Sequence, residues 1–104
     1  MSYVGVYQDE SEFSPLFSDM AGDIILEFGN GWCGHCQRAQ PAIQSVLVDS
    51  AVMHVKIADG RGKRQGRVFN VKLWPTLIRV VDGKEVSRVV RPLSVADVNR
   101  LFSE

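Results

Sequence analysis

The sequence predicts an α/β fold, a central mixed β-sheet of about five strands flanked by about four helices. Apolar strand patterns alternate with helical spacings along the chain, and Asp82-Gly83 between two strand-like runs adds a hairpin. The 104 residues, 45% of them hydrophobic, suit one core and are too few for two, so residues 1–104 read as a single domain.

Val4 and Val6 alternate with Tyr3, Gly5 and Tyr7, a short strand pattern. Asp9 or Ser11 can cap a first helix with Phe13, Leu16, Phe17 and Met20 on one face, ended by Gly22-Asp23. Ile24 to Phe28 is almost continuously apolar, as in a strand buried on both faces, and Gly29-Asn30-Gly31 breaks it. From Cys33 to about Val48, Ala39, Ile43, Val46 and Leu47 repeat at helical spacing, with a kink expected at Pro41. Met53 to Ala58 reads as a strand, and the segment from Gly60 opens into a short helix near Arg67 to Asn70. Thr76–Val81 and Lys84–Val90 form the hairpin, and Ser94 caps a last helix carrying Val95, Val98, Leu101 and Phe102. The alternation argues a mostly parallel sheet with an antiparallel edge, and in such sheets reactive groups lie beyond the carboxyl ends of strands. Cys33 follows such an end.

Twelve basic and twelve acidic residues cancel. A strong basic excess usually marks binders of nucleic acid or membrane surfaces, so neither partner is expected. The longest apolar run, Ile24 to Leu26, is three residues, far short of the roughly 18 that cross a bilayer. The first residues lack the basic and apolar regions of a signal peptide, so a cytoplasmic protein is expected. The balance hides an asymmetry: residues 1–52 carry seven acids and one base, residues 53–104 eleven bases and five acids. Arg61, Lys63, Arg64 and Arg67 place four bases within seven positions, read as a solvated face or, more sharply, as a docking patch for an acidic protein.

Cys33 and Cys36 are three residues apart and are the only cysteines. A disulfide between them closes a tiny loop and stabilises little, so the pair reads as redox chemistry or metal ligation. At the start of a helix, unpaired N–H groups favour thiolate over thiol at Cys33, and thiolate is the species that attacks disulfides. Cys36, one turn on, can resolve the mixed disulfide. Gly34 leaves room for a partner backbone, and a positive charge on His35 would stabilise the thiolate and make the couple more oxidising. Trp32 either shields the sulfurs or packs in the core, and its loop neighbours favour the first. Zinc wants four ligands, and only Cys33, Cys36, His35 and His54 exist; His35 is poorly placed to share the cysteines' metal and His54 lies on another strand, so no metal is expected.

Trp32-Cys33-Gly34-His35-Cys36, then Pro41 in the following helix and Trp74-Pro75-Thr76 before a strand, together resemble the thioredoxin family over essentially the whole chain. The resemblance implies the thioredoxin fold and a thiol–disulfide oxidoreductase. It needs no cofactor beyond the Cys33–Cys36 disulfide, acts as a monomer on disulfide-containing proteins, and is recharged by a reductase or thiol reductant. Pro75 matches the cis-proline of the family, whose neighbouring backbone pairs with substrate, and Trp32, Trp74, Thr76 and Arg91 join it on the expected docking face. Glu27, six residues before Cys33, matches the family's buried acid, whose raised pKa would suit it to take the Cys36 proton. Lys56 matches the buried lysine near that acid; pairing with Glu27 would oppose the burial shift.

Four positions depart from the family pattern, and two of them, Trp74 and Arg91, change the docking face directly. His35 stands where disulfide isomerases, rather than thioredoxins, carry histidine. Gly29 replaces a common tryptophan, Trp74 a smaller aliphatic, and Arg91 a glycine. Trp74, Arg91 and the basic segment from Arg61 to Arg67 motivate a second expectation, a binding or assembly module of the same fold serving one dedicated client, with redox activity secondary.

Overall fold

The structure, a computed structural model, describes residues 3–12 and 17–103, and of Ser18 only the backbone. Strand β1 (Asp23–Gly29) lies between β2 (Met53–Ala58) and β3 (Thr76–Val81), and β4 (Lys84–Val90) borders β3. Helix α1 (Gly34–Leu47) joins β1 to β2, α2 (Arg64–Val68) lies between β2 and β3, and α3 (Val95–Asn99) continues into a 3-10 turn at Arg100–Phe102. β1 pairs in parallel with β2, but β1–β3 and β3–β4 are antiparallel.

The mostly parallel sheet expected from the alternation therefore does not form, and helix length is the reason. A parallel crossover must return the chain along the full strand, roughly 20 Å for six residues. The 14 residues of α1 provide it, at about 1.5 Å each. The five residues of α2 do not. The chain stays at the end of the sheet where β2 finished and enters β3 in the opposite direction. This brings Pro75, at the start of β3, to the same end as Cys33.

The expected strand at Val4–Val6 is also absent among the described residues. The segment keeps a single parallel bridge, Gln8 to Ile57, with Gln8 N–H on the Lys56 carbonyl and Ala58 N–H on the Gln8 carbonyl. Val6 is 71% exposed, whereas Tyr3 and Tyr7 turn their hydroxyls inward to Gln40 and Glu27, so it is the tyrosines that face the fold. Among the described residues four strands and three α-helices result. Of the expected first helix, 3-10 turns at Glu10–Glu12 and Phe17–Asp19 are present, and Phe13 and Leu16 lie outside the described residues.

The period of two along β1 sorts its side chains. Ile24, Leu26 and Phe28 pack with Phe17, Ile57 and Phe69 on one face. Ile25 joins Ile43, Leu47 and Leu101 under α1 and α3 on the other, and Glu27 shares that second face. The Asp82-Gly83 turn has positive φ at both residues (50° and 83°), the type I′ geometry that Asp-Gly favours. Ser94 and Asp97 form a capping box on α3. Acidic and basic halves meet across the fold: Lys63 pairs with Asp9 at 2.7 Å, Arg79 with Asp23 at 2.8 Å, and Glu10 accepts from the Arg64 and Gln65 N–H groups.

Candidate active site

Cys33 is the N-cap of α1, just past the end of β1, with extended backbone and with its Sγ accepting from Cys36 N–H at 3.4 Å. It is 8% exposed and Cys36 1%, and both are free thiols. Burial alone would push the Cys33 thiol up. Hydrogen bonds from the Cys36 thiol and from the Cys36 and His35 N–H groups, together with the charge of Arg91, outweigh it and hold Cys33 below the ordinary thiol value. Burial and the neighbouring Cys33 sulfur push Cys36 up to about 11, against the Asn30 N–H and the Tyr7 hydroxyl.

The cation that faces Cys33 is thus Arg91, and the charge expected from His35 is opposed. Slight desolvation and the charges of Arg91 and Arg38 hold His35 below the ordinary histidine value. Its Nδ1 lies 3.0 Å from Arg38 Nη2, which can only donate, so Nδ1 accepts and carries no proton. His35 contributes its backbone N–H instead. Gly34 is exposed, with only the flexible Arg38 guanidinium near the space a side chain would fill.

Behind Cys36 lies a buried polar network. The parallel register sets Glu27 beside Lys56, with Nζ 3.9 Å from Oε2. Glu27 Oε1 accepts from His54 Nε2 at 2.9 Å; Oε2 accepts from the Tyr7 hydroxyl at 2.6 Å and from Gln40 Nε2 at 2.8 Å. Val4 N–H donates to His54 Nδ1 at 2.8 Å, which places the ring proton on Nε2, aimed at Glu27. Lys56 Nζ donates to Gln40 Oε1 at 2.7 Å and sits 4.5 Å from the Tyr7 ring centroid. The expected raised pKa of Glu27 is therefore reversed. Burial raises it, but the His54 hydrogen bond, the Lys56 charge and the Tyr7 hydrogen bond bring the carboxyl below the ordinary glutamate value. Lys56 is itself lowered by burial, against the pull of Glu27 and Cys36.

The outer face is built from three loops. Trp32, 76% exposed, meets Trp74 edge-on at 5.7 Å, and Trp74 Nε1 donates to Asp59 at 2.9 Å. The Trp74–Pro75 peptide is cis. Arg91 has φ 52°, a conformation that glycine adopts freely, and is fixed by its N–H on the Pro75 carbonyl and its Nε on the Trp74 carbonyl, each at 2.8 Å. Thr76 does not belong to this surface. It is 1% exposed, and its hydroxyl donates to the Leu73 carbonyl at 2.6 Å, bracing the loop before Pro75.

Tyr7, Gln40, His54 and Asn30 are the site residues that sequence reasoning missed. Alternation in β2 could have placed His54 beside Lys56 on the Glu27 face, and Gln40 stands one turn after Cys36. Nothing local marked Tyr7. Among the described residues no group of three or more His, Cys, Asp or Glu is placed to hold a metal, and no helix is long and apolar enough to cross a membrane.

Residues 4–103 match the family model described as Thioredoxin. A thioredoxin of Chlamydia caviae is 34% identical over 70 residues, covering 66% of this chain and 69% of that one. A protein disulfide isomerase-like 1-1 of Arabidopsis thaliana is 36% identical over 59 residues, 53% of this chain and 12% of that one. The solved structure of thioredoxin 2 from Pseudomonas aeruginosa in its reduced form superposes with a TM-score of 0.73 at 44% identity, covering 98% of this chain and 92% of that one.

Proposed function

Since the chain belongs to the thioredoxin family and is a thiol–disulfide oxidoreductase of that fold, we propose that Cys33 attacks the substrate disulfide and Cys36 resolves the mixed disulfide. The observation that carries this assignment is the opposite perturbation of the two thiols, Cys33 lowered at the helix N-cap and Cys36 raised to about 11 one turn inside. The Cys33 thiolate bonds one substrate sulfur and expels the other as thiolate. Cys36, deprotonated, then bonds Cys33 and expels the second substrate sulfur, so the protein dithiol loses two electrons and the substrate disulfide gains them. The protein works in the cytoplasm as a monomer, without a cofactor, and a reductase or small thiol returns it to the dithiol.

Substrate docks across Trp32, Trp74, Pro75 and Arg91. Arg91 has two effects there: it favours the Cys33 thiolate and it holds the Trp74 carbonyl that a docked backbone would share. Stabilising a thiolate stabilises the reduced form and raises the potential. Titration in graded glutathione buffers is expected to place the couple between about −270 mV, as in thioredoxin, and about −180 mV, as in disulfide isomerase. Arg91→Gln should move it roughly 10–20 mV more negative and raise the pH at which Cys33 alkylates. An unchanged potential and alkylation profile in this variant would remove Arg91 from the tuning.

A client-docking role for the same face is favoured by a cleft of about 220 Å³ beside Trp74, lined by Arg61, Lys63, Arg67 and Lys72. Its charge suits disulfides flanked by acidic residues. At low salt, Arg67→Glu with Lys72→Glu should lower the preference for an acidic over a neutral disulfide peptide, measured as the ratio of kcat/KM, by about tenfold. A preference that survives the reversal would leave the cleft as a solvated face.

A further inference from the structure

We infer that Tyr7 is a catalytic residue of the resolution step, relaying the Cys36 proton to Glu27. This rests on the assignment of Cys36 as the resolving thiol. The Glu27 carboxylate has three side-chain donors, His54, Tyr7 and Gln40. Of these, the Tyr7 hydroxyl is the one that also converges on the Cys36 sulfur, over the side-chain-free face of Gly29. Gln40 reaches the Cys36 carbonyl rather than its thiol, and an amide N–H cannot accept a proton and pass one on. A phenol can do both.

Gly29 makes this meeting possible. A Cβ built on it would stand 2.6 Å from Cys36 Sγ and 2.7 Å from the Tyr7 hydroxyl oxygen, so both groups converge on space that any other residue would fill. The Tyr7 ring is held by Lys56 beneath it, and a cavity of about 270 Å³ lined by Tyr7, Asn30, Cys36, Gln40 and Lys56 opens beside the thiol. The departure at Gly29 and the inward turn of Tyr7 are thus two halves of one feature.

In the mixed disulfide Cys33 is no longer a thiolate, and two of the causes that raise Cys36 vanish with it. As Cys36 S–H breaks, its proton passes to the Tyr7 oxygen while the Tyr7 proton passes to Glu27 Oε2. The electron pair left on Cys36 forms the Cys33–Cys36 bond, and the pair of the Cys33–substrate bond departs with the substrate sulfur, which takes a proton from water. Glu27 later returns its proton to solvent. Lys56, close to both anions, stabilises whichever is charged.

The test is stopped-flow reaction of the reduced protein with a chromogenic nitroaryl disulfide. Attack by Cys33 releases one coloured thiol and resolution by Cys36 releases the second. In Tyr7→Phe, which keeps the ring over Lys56, the first phase should stay within twofold and the second should slow about tenfold near pH 7. The deficit should shrink as pH is raised toward the Cys36 value of about 11, where the thiol ionises unaided. Glu27→Gln should slow the same phase, and the double variant should be no slower than the slower single one, since both interrupt one path. A wild-type second phase in Tyr7→Phe, a deficit that persists at high pH, or multiplying effects in the double variant would each overturn the relay. Release of only one thiol by the wild type would instead overturn the assignment of Cys36.

Discussion

Cys33→Ser is expected to lose disulfide reduction by on the order of a thousandfold or more while remaining folded. A serine hydroxyl does not ionise near neutral pH, so none of the groups that favour the Cys33 thiolate has an anion to act on. The fold loses little, because the side chain at this position is an N-cap accepting from the Cys36 N–H, a role serine fills well. Turnover of a disulfide substrate, followed beside thermal unfolding, checks both parts. The same variant weighs the client-module reading: client binding and cellular function that persist in Cys33→Ser would make docking primary and redox turnover secondary. Cys36→Ser should retain attack and stall as a mixed disulfide.

What the sequence made legible follows the range of the interactions involved. Cys33 and Cys36 owe their setting to a strand end and a helix start adjacent in the chain, and local patterning exposes both. Glu27 and Lys56 sit on alternating positions of two strands whose parallel register pairs them. The rest depends on distant segments. Arg91 reaches the Cys33 field because its N–H closes on the Pro75 carbonyl, a contact between the end of β4 and the start of β3. Nothing adjacent to Arg91 announces it, whereas His35, between the two cysteines, invited a charge that desolvation and two arginines oppose. Tyr3 and Tyr7 read as part of a strand alternation with Val4 and Val6, without a face assigned to either set. The polar network turns the tyrosines inward, since Gln40 and Glu27 give their hydroxyls partners that a valine side chain cannot use. The sign of the Glu27 shift was lost with them. Apolar neighbours in β1 suggested desolvation, opposed by Lys56 to an extent that sequence does not weigh, and the groups that outweigh it come from three other segments.

That reversal has a consequence for stability. Glu27→Gln should cost roughly 3 kcal/mol at pH 7, because it leaves Lys56 buried without its charge partner and offers one amide oxygen where a carboxylate accepts from three donors. For a domain of this size that is a fall in Tm of roughly 15 °C. The pH dependence fixes the cause. A carboxyl whose folded pKa lies below its unfolded value contributes stability that is fully present above the unfolded pKa, near 4.5 for glutamate, and is lost as pH falls through the folded one. The gap between wild type and Glu27→Gln, measured by urea unfolding, should therefore be constant from about pH 7 to pH 5 and narrow as acid protonates Glu27 in the folded wild type. A raised carboxyl gives the opposite sign: protonation would then stabilise the wild type relative to the variant, and the gap would widen on acidification from neutral pH. A gap independent of pH would mean that the network binds Glu27 by shape rather than charge, and a relay ending on its carboxylate would lose its acceptor.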